Sequence, residues 1–253
     1  MYTLKKLLLF TLLIQIIIPL AAQKTTYHPY KERDKMEYNG YQYPLFPGTE
    51  EWKALPIDID RYALLQLPED TLYAISTYRL LETCLYYPMM IDIFGFDNQI
   101  IAFGLLRNYF NGLNELFCRE DIVYCLLSYY FNRIPDRITT LNNSYDRGKY
   151  SLDFIILEIM IYQPEIVSQL NNSQTTLLIK DVLQKLNHYS SLKQYFGQMS
   201  ISIPINVLGQ ILIKNGTLTN ASIRTDLTEF LKTGYLRYPE DYEFVLKHAQ
   251  NIL

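Results

Sequence analysis

The chain is poor in the residues that usually build catalytic and metal centres. Its three histidines, His28, His188 and His248, lie far apart and have no companion histidine or cysteine three or four positions away. A zinc site is therefore not expected, and no H-E-x-x-H is present. Only ten glycines occur in 253 residues, none in a G-x-G-x-x-G or Walker arrangement, so backbone cannot approach a nucleotide phosphate by those routes. No G-x-S-x-G elbow appears. Three cysteines cannot form a disulfide framework. Basic residues never run to five, and 23 Lys and Arg stand against 26 Asp and Glu. Nucleic acid is thus not an expected partner, and no cofactor is implied.

Apolar side chains are abundant instead, at 49 % of the sequence. A chain of this length and hydrophobicity must fold to hide that surface. The first 22 residues read as an export signal: Lys5 and Lys6 start it, an apolar run spans Leu7 to Leu20, and Ala21 and Ala22 precede the expected cut. The run is shorter than the roughly 20 residues needed to span a bilayer. No permanent membrane span is expected after cleavage, and the address is periplasmic or extracellular. Removing the two lysines leaves a net charge of −5.

Residues 23–48 carry tyrosines among charges without helical or strand period, which fits an extended strap laying aromatics on the body, or a tether. From Thr49 to the C-terminus the pattern is helical, giving one helical domain over 49–253. Thr49, Asp58, Ser76 or Thr77, Ser173 and Asn220 are candidate N-caps, and Gly234 is a stop. Segments 99–110 and 119–131 read as an antiparallel pair joined through Asn111 and Gly112. Residues 151–162 are apolar nearly all round and should be central. In the helix beginning near Ser173, Leu178, Ile179, Val182, Leu186 and Tyr189 share one face while Lys180, Asp181, Gln184 and Lys185 face water. The one strand candidate, 199–205, contains Pro204, and the polar stretch 132–149 reads as a mobile loop or loose connection. The expected fold is all-α, an antiparallel helical array, favoured as an irregular armadillo or HEAT-like α-solenoid, although no repeat consensus recurs.

Candidate chemistry is sparse. Cys84 would need a histidine to take its proton, yet Leu81 and Leu85 flank it and argue for a core thiol. Cys118 and Cys125 are seven apart, which on a continuous helix separates their Cα atoms by about 10 Å, too far for a disulfide. Pairing of Cys84 with either stays open. Carboxylates cluster at Glu115, Glu120 and Asp121 and at Asp92 and Asp97, a pattern more typical of helix starts than of a hydrolytic pair. The 23 tyrosines suit either a binding surface or the edge of a core. Four Asn-x-Ser/Thr sites, at Asn142, Asn171, Asn215 and Asn220, read as chance plus turn chemistry, because the export signal has a bacterial look.

Blocks at 47–56 (PGTEEWKALP), 66–69 (QLPE), 81–88 (LETCLYYP) and 110–116 (FNGLNEL) give the chain a resemblance to a group of uncharacterised secreted bacterial proteins, over about residues 46–131. That resemblance implies export and a helical body and carries no catalytic residue. Within these blocks and beside them, Trp52, Tyr87, Asp92, Asn111 and Glu115 are the candidate surface residues. Two further readings run beside a non-catalytic scaffold binding a protein or envelope component. One is a hydrolase using Cys84 or the carboxylates near Asp92 and Glu115, which requires ionisable groups converging in a cleft. The other is a carbohydrate binder using surface tyrosines.

Overall fold

The computed structural model describes residues 40–56 and 60–253. The export signal, most of the strap and Asp58 lie outside the described residues. From residue 40 onward the chain belongs to one compact unit. Among the described residues there is no strand, and the regular structure consists of thirteen α-helices and two 3-10 helices.

Local chemistry accounts for most helix ends. Helix α1 (Glu50–Lys53) starts where Thr49 Oγ1 accepts from the Trp52 amide at 3.2 Å. Helix α2 (Arg61–Leu64) is capped by Asp60, and α3 (Glu69–Ala74) follows Pro68. Ser76 caps α4 (Thr77–Leu85), after which a 3-10 helix (Met90–Gly95) leads into α5 (Gln99–Tyr109).

The expected antiparallel pair joined at Asn111 is corrected here. Asn111 opens a separate helix, α6 (Asn111–Cys118), and α7 (Ile122–Phe131) packs mainly on α4 and α8. Gly112 permits the turn because a Cβ there would come within 2.4 Å of the Phe110 ring. The break at Arg119 also separates Cys118 from Cys125, and all three cysteines are free.

The polar stretch 132–149 is ordered, contrary to its reading as a mobile loop. It holds a second 3-10 helix (Pro135–Thr140) and the first turns of α8 (Ser144–Tyr162), capped by Asn143. The Tyr150 hydroxyl donates to Ile134 O at 2.8 Å and Arg147 Nε to Leu141 O at 3.0 Å, so side chains from α8 satisfy the segment's carbonyls. Every residue from Asp153 to Tyr162 is buried, making this half of α8 the centre of the core.

Helix α9 (Pro164–Gln169) leads to α10 (Asn172–Ser191). Asn171, not Ser173, caps α10 through a reciprocal capping box with Gln174. Helix α11 (Met199–Lys214) absorbs the strand candidate. Pro204 inside a helix costs about 3 kcal/mol. Burying Ile203, Ile205, Val207, Leu208, Ile211 and Leu212 contributes roughly 1.5–3 kcal/mol each, so burial decides the outcome.

Asp226 caps α12 (Leu227–Thr233), and Asn220 Oδ1 reaches the Leu227 amide from outside it. Gly234 ends that helix with φ +71°, and α13 (Pro239–Gln250) closes the chain. Helices α8 and α11 form the most extensive pairing, and α5, α7, α9, α10 and α13 each pack on one or both. The all-α expectation is met. Instead of contacts between consecutive repeats only, the described helices pair across long sequence separations, such as α5 with α8 and α12.

Candidate functional site

The C-terminal end of α4, the first 3-10 helix and the N-terminal half of α8 enclose a cleft of about 540 Å³. That lies within the roughly 300–1,000 Å³ typical of ligand sites. One face of α8 supplies Tyr145, Gly148, Lys149, Leu152 and Ile156, positions three to four apart that align along a helix. Opposite stand Leu85, Tyr86, Tyr87 and Pro88, then Met90, Ile91 and Phe94, with Phe46 and Pro47 at one side. Tyr43 anchors the segment before Phe46, its hydroxyl donating to Thr83 O at 3.1 Å and its ring packed edge-on to Tyr87 at 5.7 Å.

One charged cluster borders this apolar space. Asp153, 2 % exposed, accepts from Arg133 Nη2 at 2.7 Å through Oδ2 and from Lys149 Nζ at 2.6 Å through Oδ1. Arg133 is itself held over the Tyr150 ring at 4.1 Å. Lys149 also donates to Leu85 O at 3.1 Å and lies 4.1 Å from the Tyr86 ring centroid. Burial and the neighbouring Asp153 push the Tyr86 phenol up to about 12, so it stays neutral.

A smaller cleft of about 240 Å³ lies on the other side of the 3-10 helix, between Tyr62, Asp92, Phe96, Leu105 and Tyr109. There the Tyr62 hydroxyl donates to Asp92 Oδ2 at 2.8 Å, and burial together with that bond raises Tyr62 to about 12.

A third polar cluster is centred on a carboxyl sealed in the core. Glu158 Oε1 accepts from the hydroxyls of Tyr130 at 2.8 Å and Tyr189 at 2.9 Å, while its Oε2 has no partner among the described residues. Burial lifts its carboxyl to about 8 despite the two phenols and nearby Lys185. Lys185, read from sequence as facing water, is 3 % exposed. It pairs with Asp181 at 2.5 Å and lies over the Tyr130 ring at 4.4 Å. A long aliphatic stem lets it bury its carbons while its ammonium finds these partners.

The five residues singled out from sequence are dispersed. Tyr87 is a core ring, not a surface one, because it stacks on Phe110 at 3.8 Å; it still lines the main cleft. Asp92 lines the smaller cleft. Trp52 is half-buried with the Arg61 guanidinium 5.3 Å from its ring. Asn111 spends its amide on the Leu67 backbone, accepting from N at 2.9 Å and donating to O at 2.8 Å. Glu115 pairs with Arg119 at 2.6 Å. Neither cleft brings Asp92 and Glu115 together.

Cys84 is fully buried, and burial raises its thiol pKa, the reverse of what a nucleophile needs. His188 pairs with Asp136 and His248 bonds to Phe244 O. The strongly exposed rings of Tyr73, Tyr109, Tyr124 and Tyr145 come from four different helices. No group of three metal-ligating side chains occurs among the described residues, and no described helix is long and apolar enough to cross a membrane.

Sequence reasoning passed over Lys149, Asp153 and Glu158. The signal was there for two of them: Asp153 and Glu158 are the only acids in a segment, 152–162, that is otherwise almost wholly apolar. Comparison with known proteins finds no family model, no curated relative and no solved structure that matches this chain.

Proposed function

We propose that this is an exported, non-catalytic binding protein whose main cleft holds the apolar part of an envelope component or partner. The cleft carries the reading: about 540 Å³ lined mostly by aliphatic and aromatic side chains, with its ionisable groups engaged in structural pairs. Export, whether to the periplasm or beyond the cell, follows from the signal-like first 22 residues and from the resemblance to secreted proteins. A binding role needs no activated group. The paired carboxylates and the neutral, buried Cys84 suit it better than hydrolysis.

Titration of the purified protein with the apolar fluorophore phenylnaphthylamine tests this. Saturable one-site enhancement is expected, and Gly148→Leu should abolish it by placing a side chain in open space within the cleft. A signal that never saturates, or one unchanged in Gly148→Leu, overturns the reading.

A further inference from the structure

We propose that the cleft's ligand is a single-chain amphiphile with an anionic head, a long-chain carboxylate, its tail in the apolar space and its head on Lys149; this rests on the binding role proposed above. The argument is one of charge complementarity at one end of an apolar container. Among the described residues that line the cleft, Lys149 and Asp153 are the only ones of basic or acidic type. They do not present equal and opposite faces.

Asp153 has one oxygen on Arg133 and the other on Lys149, so two cations share one carboxylate and the triad carries a net positive charge. Its exposure is graded. The side chain of Asp153 is 3 % exposed and that of Arg133 11 %, against 22 % for Lys149. The charge a ligand meets is therefore the ammonium.

That ammonium has three N–H groups, of which Leu85 O and Asp153 Oδ1 take two. The nearest other acid on α4, Glu82, is paired with Arg79 at 3.0 Å. The first turn of α8, whose Ser144 and Tyr145 also line the cleft, adds the positive end of a 19-residue helix. Asp146 in that turn does not line the cleft and is held by Asn143 Nδ2 at 2.7 Å. An alkyl tail fits against Met90, Ile91, Phe94, Leu152 and Ile156, where no charged group would be desolvated.

The test displaces bound phenylnaphthylamine with hexadecanoate, hexadecanol and hexadecylamine, each below its micelle-forming concentration. The carboxylate should bind on the order of tenfold tighter than the alcohol, as a charge-assisted hydrogen bond supplies, with the amine weakest. Lys149→Met should remove the preference, bringing carboxylate and alcohol to equal affinity. Lys149→Arg should keep the preference.

Equal affinity of carboxylate and alcohol for the unmodified protein refutes the head-group assignment while the apolar cleft stands. Failure of all three to displace the fluorophore from a saturable site refutes the amphiphile, and absence of any saturable site removes the binding role with it. If Lys149→Met does not fold, the ranking of the three ligands on the unmodified protein decides alone.

Discussion

Asp153 and Glu158 sit five residues apart on α8, and the protein treats the two buried carboxyls in opposite ways. Asp153 lies beside the cleft and is met by two cations at hydrogen-bond distance. Glu158 lies in the sealed core, where two phenols donate to one oxygen and the other has no partner among the described residues. Two cations against one anion leave a net positive charge beside the cleft. Two neutral donors leave a carboxyl that burial drives toward its protonated form. One helix thus carries an ion-paired carboxylate beside the cleft and a carboxyl that burial keeps neutral in the core.

The sharpest test of this contrast is pH. In the folded chain Glu158 titrates at about 8, well above its ordinary 4.5. The folded state therefore holds a proton that the unfolded state has lost between those values. Its contribution to stability is complete below about 4.5 and disappears as pH rises through about 8. The loss is on the order of 5 kcal/mol at most. Glu158→Gln keeps an acceptor for both phenols and cannot ionise. Denaturant unfolding should show it near the unmodified protein at pH 5 and clearly more stable at pH 9. A gap that does not widen with pH would mean Glu158 is not buried as described.

Asp153→Ala should act differently, destabilising by about 3 kcal/mol at neutral pH because Arg133 and Lys149 lose their shared partner. Adding Arg133→Met should restore part of that loss, since the buried cation is what makes the single change costly. Lys185→Met is smaller, about 1 kcal/mol, because Asp181 retains access to water. Its sharper readout is the Glu158 midpoint, which should move above 8 once the nearby ammonium that lowers it is gone.

Much of the fold is legible in the sequence where the cause is local. Thr49, Ser76, Gly234 and Pro239 mark helix ends because capping hydroxyls, positive φ and a missing N–H act within one turn. The inward face of α10 follows from its 3.6-residue period, and Leu178, Ile179, Val182, Leu186 and Tyr189 are all buried. What periodicity does not convey is partnership across the chain. Lys185 reads as solvent-facing by type and spacing, yet Tyr130 and Asp181 give its ammonium a buried place. Pro204 reads as a breaker because the packing of α8 against α11 that outweighs it is non-local. The cleft is illegible for the same reason. Its walls come from around residues 46, 90 and 150, and only the fold brings them together.

The smallest expected effect on stability is also the most diagnostic for the cleft. Gly148 is exposed on α8, and a Cβ built there meets no described residue within 4 Å. A glycine inside a helix costs about 0.5–1 kcal/mol relative to alanine, so Gly148→Leu should raise stability by a similar amount. A larger side chain at that position also occupies the cleft that Gly148 lines. Stability and binding should therefore move in opposite directions, a rise of a few degrees in melting temperature accompanying loss of fluorophore binding. A variant that melts higher and still binds would show that ligand contacts lie elsewhere, and the charged end of α8 would then be a purely structural counterpart to its neutral core.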